Sequence, residues 1–256
     1  GNRINGNGAT LVFTEPRLGG FGIENSQDVV ISDLTFDYDP VPFTQGTIVD
    51  LTDDKRTLTL DLDDSYPAFD DPQFERADIF ASIHTTDGEF ISGIRTDGLP
   101  IKRFSSYNRV EAGQWELTVA ESSTVRGLET GRKLAIPSRD PPDGSTVLRV
   151  ARTTTPVVES VNIRASPGFA MHVLQCESPV LRNITVAPRA AENRLIGSDA
   201  DGIHVRNCRG GPTIEDCHVA RLLDDGIVVA SLAMRVESVV DSQTIEVVDF
   251  HGVRPQ

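Results

Sequence analysis

One spacing of apolar and polar residues occurs four times in this chain. Residues 29–36 align without gaps with 156–163, 179–186 and 212–219. In the first copy Ile31, Leu34 and Phe36 are the apolar positions. A short polar residue stands just before the second of them in every copy: Asp33, Ser160, Asn183 and Asp216. The Leu34 and Phe36 positions follow the period of two that puts side chains on one face of a strand. A unit this small cannot bury its apolar face alone and must stack on its neighbours, so the repetition predicts a solenoid.

The step from Val161 to Ile184 is 23 residues, about one coil of a β-helix, and the step from Ile184 to Cys217 is 33. The excess falls in the polar run 188–194, which breaks the alternation and reads as a loop. Short strands, no sustained helical period and Gly, Asn, Asp and Ser at the corners predict an all-β chain, a right-handed parallel β-helix. From Leu34 to Val161 the step is 127 residues, far more than one coil. Between them, residues 47–62 read as a hairpin with a polar turn, and 115–119 and 133–137 as further strands separated by prolines. The expected division is therefore β-helix coils over 1–43, an inserted small antiparallel β-barrel or sandwich over 44–155, and coils again over 156–231. Residues 232–256 resemble the start of the 47–62 hairpin and read as a second insertion or a truncated C-terminal part. No solenoid cap is visible at either end, so the chain is expected to be a piece of a longer protein.

Charge narrows the partners. The net charge is −14, with Lys55, Lys102 and Lys133 the only lysines. An acidic surface repels nucleic acid and anionic membranes, so neither is an expected partner. It also weighs against a polyanionic substrate. Scarce lysine beside abundant aspartate suits a high-salt organism, and a GC-rich genome gives part of the same bias. No run is long enough to be a membrane-spanning helix, and there is no charged-then-apolar leader. Cys176, Cys208 and Cys217 lack CxxC spacing, which gives zinc no support. Cys217 falls on a buried repeat position; Cys176 and Cys208 fall at comparable places in successive coils, with a disulfide between them left open.

The chemistry concentrates at two corners. Asp201-Gly202-Ile203-His204 is followed by Asp224-Asp225-Gly226-Ile227, with Gly202 and Gly226 separated by 24 residues, about one coil. Asp201 and Asp225 should then occupy equivalent corners of adjacent coils about 4.8 Å apart, with Asp224 beside them. Asp-Gly is ordinary turn chemistry taken singly. Three crowded carboxylates are different, because like charges oppose each other's ionisation and set an acid beside a base. Glycoside hydrolysis needs that pair, and a calcium site would use the same residue types. His204, Arg206, Arg221 and, one coil earlier, His172 are candidates for binding sugar in the same groove. His251 follows the aspartates with too little sequence after it to be placed. No metal or cofactor is expected. Neither a nucleophile elbow nor a GxGxxG or P-loop motif occurs.

These corners resemble those of the pectin-lyase-like β-helix hydrolases, and most closely the glycoside hydrolase 110 family of exo-acting α-1,3-galactosidases. The resemblance rests on the Asp201–His204 and Asp224–Ile227 corners, on Gly211-Pro212-Thr213-Ile214-Glu215-Asp216-Cys217 between them, and on Asp39-Pro40-Val41-Pro42-Phe43-Thr44-Gln45-Gly46 at the mouth of the insertion. It implies inversion at the anomeric carbon with Asp201, Asp224 and Asp225 as acid and base, Asp225 being assigned the acid. It implies an oligosaccharide or polysaccharide partner and a secreted or cell-surface location. Polygalacturonases have a similar trio but expect a downstream Arg-x-Lys motif, which is absent. One departure stands out: Val228, Val229 and Ala230 follow the Asp-Asp pair where the α-galactosidases continue toward Asn and His. A noncatalytic carbohydrate-binding β-helix and a polysaccharide lyase or epimerase are the alternative readings.

Overall fold

A computed structural model describes residues 1–75, 80–91, 101–121, 126–138, 145–231 and 234–249. Within them the chain is all-β, with a single 3-10 turn at Pro72–Phe74. Two parallel sheets organise most of it. The first holds Arg3–Phe13, Val30–Tyr38, Val157–Ile163, Val180–Val186 and, beyond them, Thr213–Glu215 with His218–Val219. The second holds Phe21–Glu24, Leu148–Ala151, Met171–Leu174, Ile203–Arg206 and Ile227–Ala230. Each pass of the chain adds one strand to each sheet, an arrangement consistent with a β-helix-like fold.

The register is the one read from the repeat. Leu34 pairs with Val161, Val161 with Ile184, and Phe36 with Ile163 and then Val186. Ile214 stands beside Leu181 and Val219 beside Val186. The polar residue before the second apolar position has a backbone reason: Asp33, Ser160, Asn183 and Asp216 all sit at φ between 52° and 56°. Left-handed backbone is costly for most side chains and is tolerated best by short polar ones, which bond locally to the main chain. At the opposite edge Asn25, Arg152, Gln175 and Asn207 form a second left-handed column, and Asp28, Thr155, Ser178 and Gly210 a third. Cys176 and Cys208 lie in successive coils of that edge, the Cys176 N–H meeting the Cys208 sulfur at 3.4 Å; both are free thiols.

Inward-facing residues of both sheets share one core. Phe36, Val161, Ile163, Met171, Val173, Ile184 and Ile203 are completely buried. Burying each such side chain stabilises the stack by about 1.5–3 kcal/mol before conformational entropy is charged against it.

The large length variation lies on one edge. Phe13 to Phe21, Ile163 to Met171 and Val219 to Ile227 are eight-residue steps from one sheet to the other. Val186 to Ile203 is longer, and Tyr38 to Leu148 contains the whole insertion. That insertion is a closed antiparallel barrel, in which Phe43–Leu51, Thr57–Leu62, Gln114–Val119, Ile101–Glu111, Phe80–His84 and Lys133–Pro137 follow one another around the ring. Its own core gathers Ile48, Leu60, Ile83, Leu117 and Leu134 around Trp115, the sole tryptophan. The sequence assigned residues up to 155 to the insertion, whereas Leu148–Ala151 already pairs in parallel with Phe21–Glu24 and Met171–Leu174. Met234–Val239 and Ile245–Asp249 form an antiparallel hairpin after the last coil. None of the described helical residues forms a helix long and apolar enough to cross a membrane.

Candidate active site

The variable edge carries the carboxylates. Backbone hydrogen bonds run Val147 N–H to Phe169 C=O, Ala170 N–H to Asp201 C=O and Gly202 N–H to Asp225 C=O. Phe169, Asp201 and Asp225 therefore occupy equivalent positions on three successive coils. The glycine after each aspartate has a steric reason at Gly202, where an added Cβ would lie 2.6 Å from the Gly226 carbonyl oxygen. Only a bare backbone lets the two corners stack this closely.

Asp201, Asp224 and Asp225 each place a carboxylate oxygen within 4.8 Å of the others. The three are not equivalent. Asp201 is buried at 5% exposure, while Asp224 and Asp225 are exposed. Asp201 Oδ2 lies 2.5 Å from His204 Nδ1. One oxygen of Asp224 caps the Asp225 N–H at 3.0 Å, which fixes the turn between the exposed pair. The trio could also ligate a hard cation through one oxygen each, fewer than the six to eight oxygens that calcium takes.

Three rings form the wall next to Asp201. His204 stacks on Phe169 at 4.6 Å between centroids with 28° between planes. The His172 ring meets both edge-on, at 5.3 Å from His204 and 5.4 Å from Phe169. His172 and His204 are register partners in adjacent strands. Burial first, then the charges of His204, Arg149 and Arg206, push His172 down to about 4, so it is neutral at neutral pH. Arg206 thus lies close enough to act on this cluster. Arg221 donates from Nη1 to the Arg194 carbonyl at 3.2 Å. His251 lies outside the described residues.

Phe169 escaped the sequence reading because Ser166-Pro167-Gly168-Phe169 lacks the Asp-Gly signal. A positional signal was present: Phe169 precedes His172 by the interval that separates Asp201 from His204. Also unread was Asp199, buried at 2%. Burial, and secondarily the Asp199 charge, push the Tyr38 phenol up.

Two parallel sheets of an all-β protein thus carry a corner of three carboxylates and two histidines along one edge. No protein-family profile matches the chain. It is 24% identical over 97% of its length to alpha-1,3-galactosidase B of Akkermansia muciniphila, covering 31% of that protein. It is 27% identical over 34% of its length to alpha-1,3-galactosidase A of Shewanella woodyi, covering 14% of it. The chain thus spans less than a third of the length of either curated relative.

Proposed function

We propose that this chain is the catalytic part of an exo-acting glycoside hydrolase that cleaves terminal α-galactosidic, α-1,3-like linkages. Its stack is a right-handed parallel β-helix of the pectin-lyase-like kind, with the barrel as an insertion in the coils. The observation that carries this reading is the convergence of Asp201, Asp224 and Asp225 from two consecutive corners onto one spot. The names of both relatives support the sugar and the linkage.

In this mechanism Asp225, at the exposed mouth, donates its proton to the glycosidic oxygen as the bond to the anomeric carbon breaks. Asp201, helped by Asp224, takes a proton from the water that attacks that carbon from the opposite face. The products are a sugar with inverted anomeric configuration and an aglycone bearing a new hydroxyl. Inversion calls for about 6.5–9.5 Å between acid and base carboxyls. The nearest oxygens of the three carboxyls lie within 4.8 Å of one another, so in this mechanism the acid and base carboxylates turn apart to admit the sugar and the attacking water. His204 and Arg206, with His172 behind them, orient the sugar hydroxyls, and Arg221 serves from the rim. No cofactor takes part, and the partner is a neutral glycan met outside the cell, with neither nucleic acid nor membrane involved.

The test is to replace Asp201, Asp224 and Asp225 singly by Asn in the full-length protein and assay aryl and natural α-galactosides. Each loss should be about a hundred- to ten-thousand-fold in kcat, with β-galactose released first by the wild type, as followed by NMR. Full activity in all three variants overturns the reading. Glycan binding without turnover would make the corner a binding site instead, and release of an unsaturated product would make it a lyase.

A further inference from the structure

The segment that delivers Asp201 is held by the inserted barrel rather than by the stack alone. Residues 195–203 are buried without interruption. They follow the long loop of the variable edge, the kind of connection that ordinarily moves most. The hold on this loop comes from an unusual residue. Gln45 lies on the barrel strand Phe43–Leu51, where alternate residues such as Ile48 face the barrel core. Gln45 is out of phase with Ile48, so its side chain leaves the barrel, yet its exposure is 0%. It is buried because the loop lies against it.

Both halves of the Gln45 amide are used. Its Oε1 accepts the Leu195 N–H at 2.9 Å, and its Nε2 donates to the Asn193 carbonyl at 2.7 Å. The side chain thus pairs with the loop as a neighbouring strand would. Nε2 also donates to Asp63 at 2.7 Å, which fixes the direction of the amide. Between those two contacts Arg194 forks onto Asp37, with nitrogen–oxygen distances of 2.6 and 3.3 Å. Tyr66 of the barrel adds a hydrogen bond from its hydroxyl to the Asn193 carbonyl at 3.4 Å. Leu195 and Ile196 then enter the core of the stack, and Ser198 donates to the Gly168 carbonyl at 2.8 Å, just before Phe169. The path from Gln45 to Asp201 is short, buried and bonded along its length.

We propose that Gln45 is a positioning residue: through the backbone of residues 193–195 it makes the barrel a brace that sets where the Asp201 carboxylate stands. The catalytic consequence rests on the hydrolase reading above; the brace itself does not. An amide left unmatched in a buried site carries a heavy desolvation cost, so loss of Gln45 should loosen the loop rather than be absorbed. A displacement of about 1 Å at a reacting group lowers rates by about a hundredfold.

The test uses Gln45→Met, which keeps the side-chain volume and removes the hydrogen bonds. Hydrogen exchange of the full-length protein should speed up by about tenfold or more at residues 193–201 and stay unchanged in the barrel strands. Trp115 emission should stay at its wild-type value, showing an intact barrel. On an aryl α-galactoside kcat should drop by about ten- to a hundredfold with KM within about twofold. In an Asp201→Asn background the same substitution should change the residual rate little, since its effect runs through Asp201. Unchanged exchange at 193–201 overturns the brace. Faster exchange with unchanged kcat, or an undiminished effect in the Asp201→Asn background, overturns its positioning role. If the wild type hydrolyses no glycoside, the hydrolase reading fails while the exchange result still decides the brace.

Discussion

The parallel stack and the antiparallel barrel are both β-structure, yet they fix register by different means. In the stack each strand pairs with one a coil away; Arg3–Phe13 shifts once against Val30–Tyr38, between Asn5 and Ala9, but Val157–Ile163 matches Val30–Tyr38 and Val180–Val186 residue for residue. In the barrel the pairing of Phe43–Leu51 with Thr57–Leu62 shifts between Ile48 and Asp50, and Ile101–Glu111 shifts twice against Gln114–Val119. Bulges bend and twist strands, which a closed ring needs and a straight pile of coils does not. The stack therefore repeats an address from coil to coil and can place side chains in columns. The barrel places each side chain once. Chemistry that needs several like groups together arises on the stack; a single custom contact such as that of Gln45 arises on the barrel.

The sharpest way to break this comparison is to empty each core separately. Ile184→Ala in the stack and Leu117→Ala in the barrel remove fully buried side chains, and each should cost about 2–5 kcal/mol. If the two regions are separate cooperative units, denaturant titration followed by Trp115 emission should shift for Leu117→Ala and hardly for Ile184→Ala, while far-ultraviolet dichroism, which reads both regions, should split into two transitions in either variant. Equal shifts in both signals would merge them into one unit. A smaller effect probes the columns. Ser160→Val puts a branched side chain at φ 55° and should cost about 1–2 kcal/mol, whereas Ser160→Asn should stay within about 0.5 kcal/mol. Thermal melts of both variants decide whether backbone conformation, rather than side-chain contact, selects that position.

The smallest effect is a pH dependence that each region carries independently. Burial, with a secondary push from Arg221, holds His84 of the barrel down at about 4, and burial likewise holds His172 of the stack at about 4. A histidine whose folded pKa lies below its ordinary 6.5 binds fewer protons in the native state. Its stability contribution is complete above about pH 6.5 and is lost as pH falls through 4. His84→Gln should flatten the acid limb of the Trp115 transition, and His172→Gln should leave that limb unchanged while flattening the part of the dichroism transition that Trp115 does not follow. A crossed result would show that the two regions share their acid response.

The same contrast explains what could be read beforehand. The repeat of Leu34, Val161, Ile184 and Cys217 gave the strand register, and the 24-residue step between Gly202 and Gly226 brought the aspartates together, because a stacked coil turns sequence spacing into distance. His204 was legible for the same reason. Leu148–Ala151 was not: four residues make too short a run to separate from the strands of the insertion preceding it. Gln45 and Asp37 were beyond reach, since each acts at long sequence separation on a loop with no counterpart in other coils. Arg221 was placed by proximity in sequence alone, and its guanidinium meets the Arg194 carbonyl.

The left-handed columns at Asn25 to Asn207 and at Asp28 to Gly210 have an evolutionary consequence. They hold one turn of every rung to an almost constant length, so growth and trimming of the chain are channelled to the opposite seam. Lengthening a connection there costs little, because closure entropy rises only slowly with loop size. That seam is also where the acidic side chains lie. Lineages built on this scaffold can therefore exchange whole modules around the acidic side chains while the rungs beneath keep their count and pitch, and a new surface can be acquired by grafting a loop rather than by redesigning the framework.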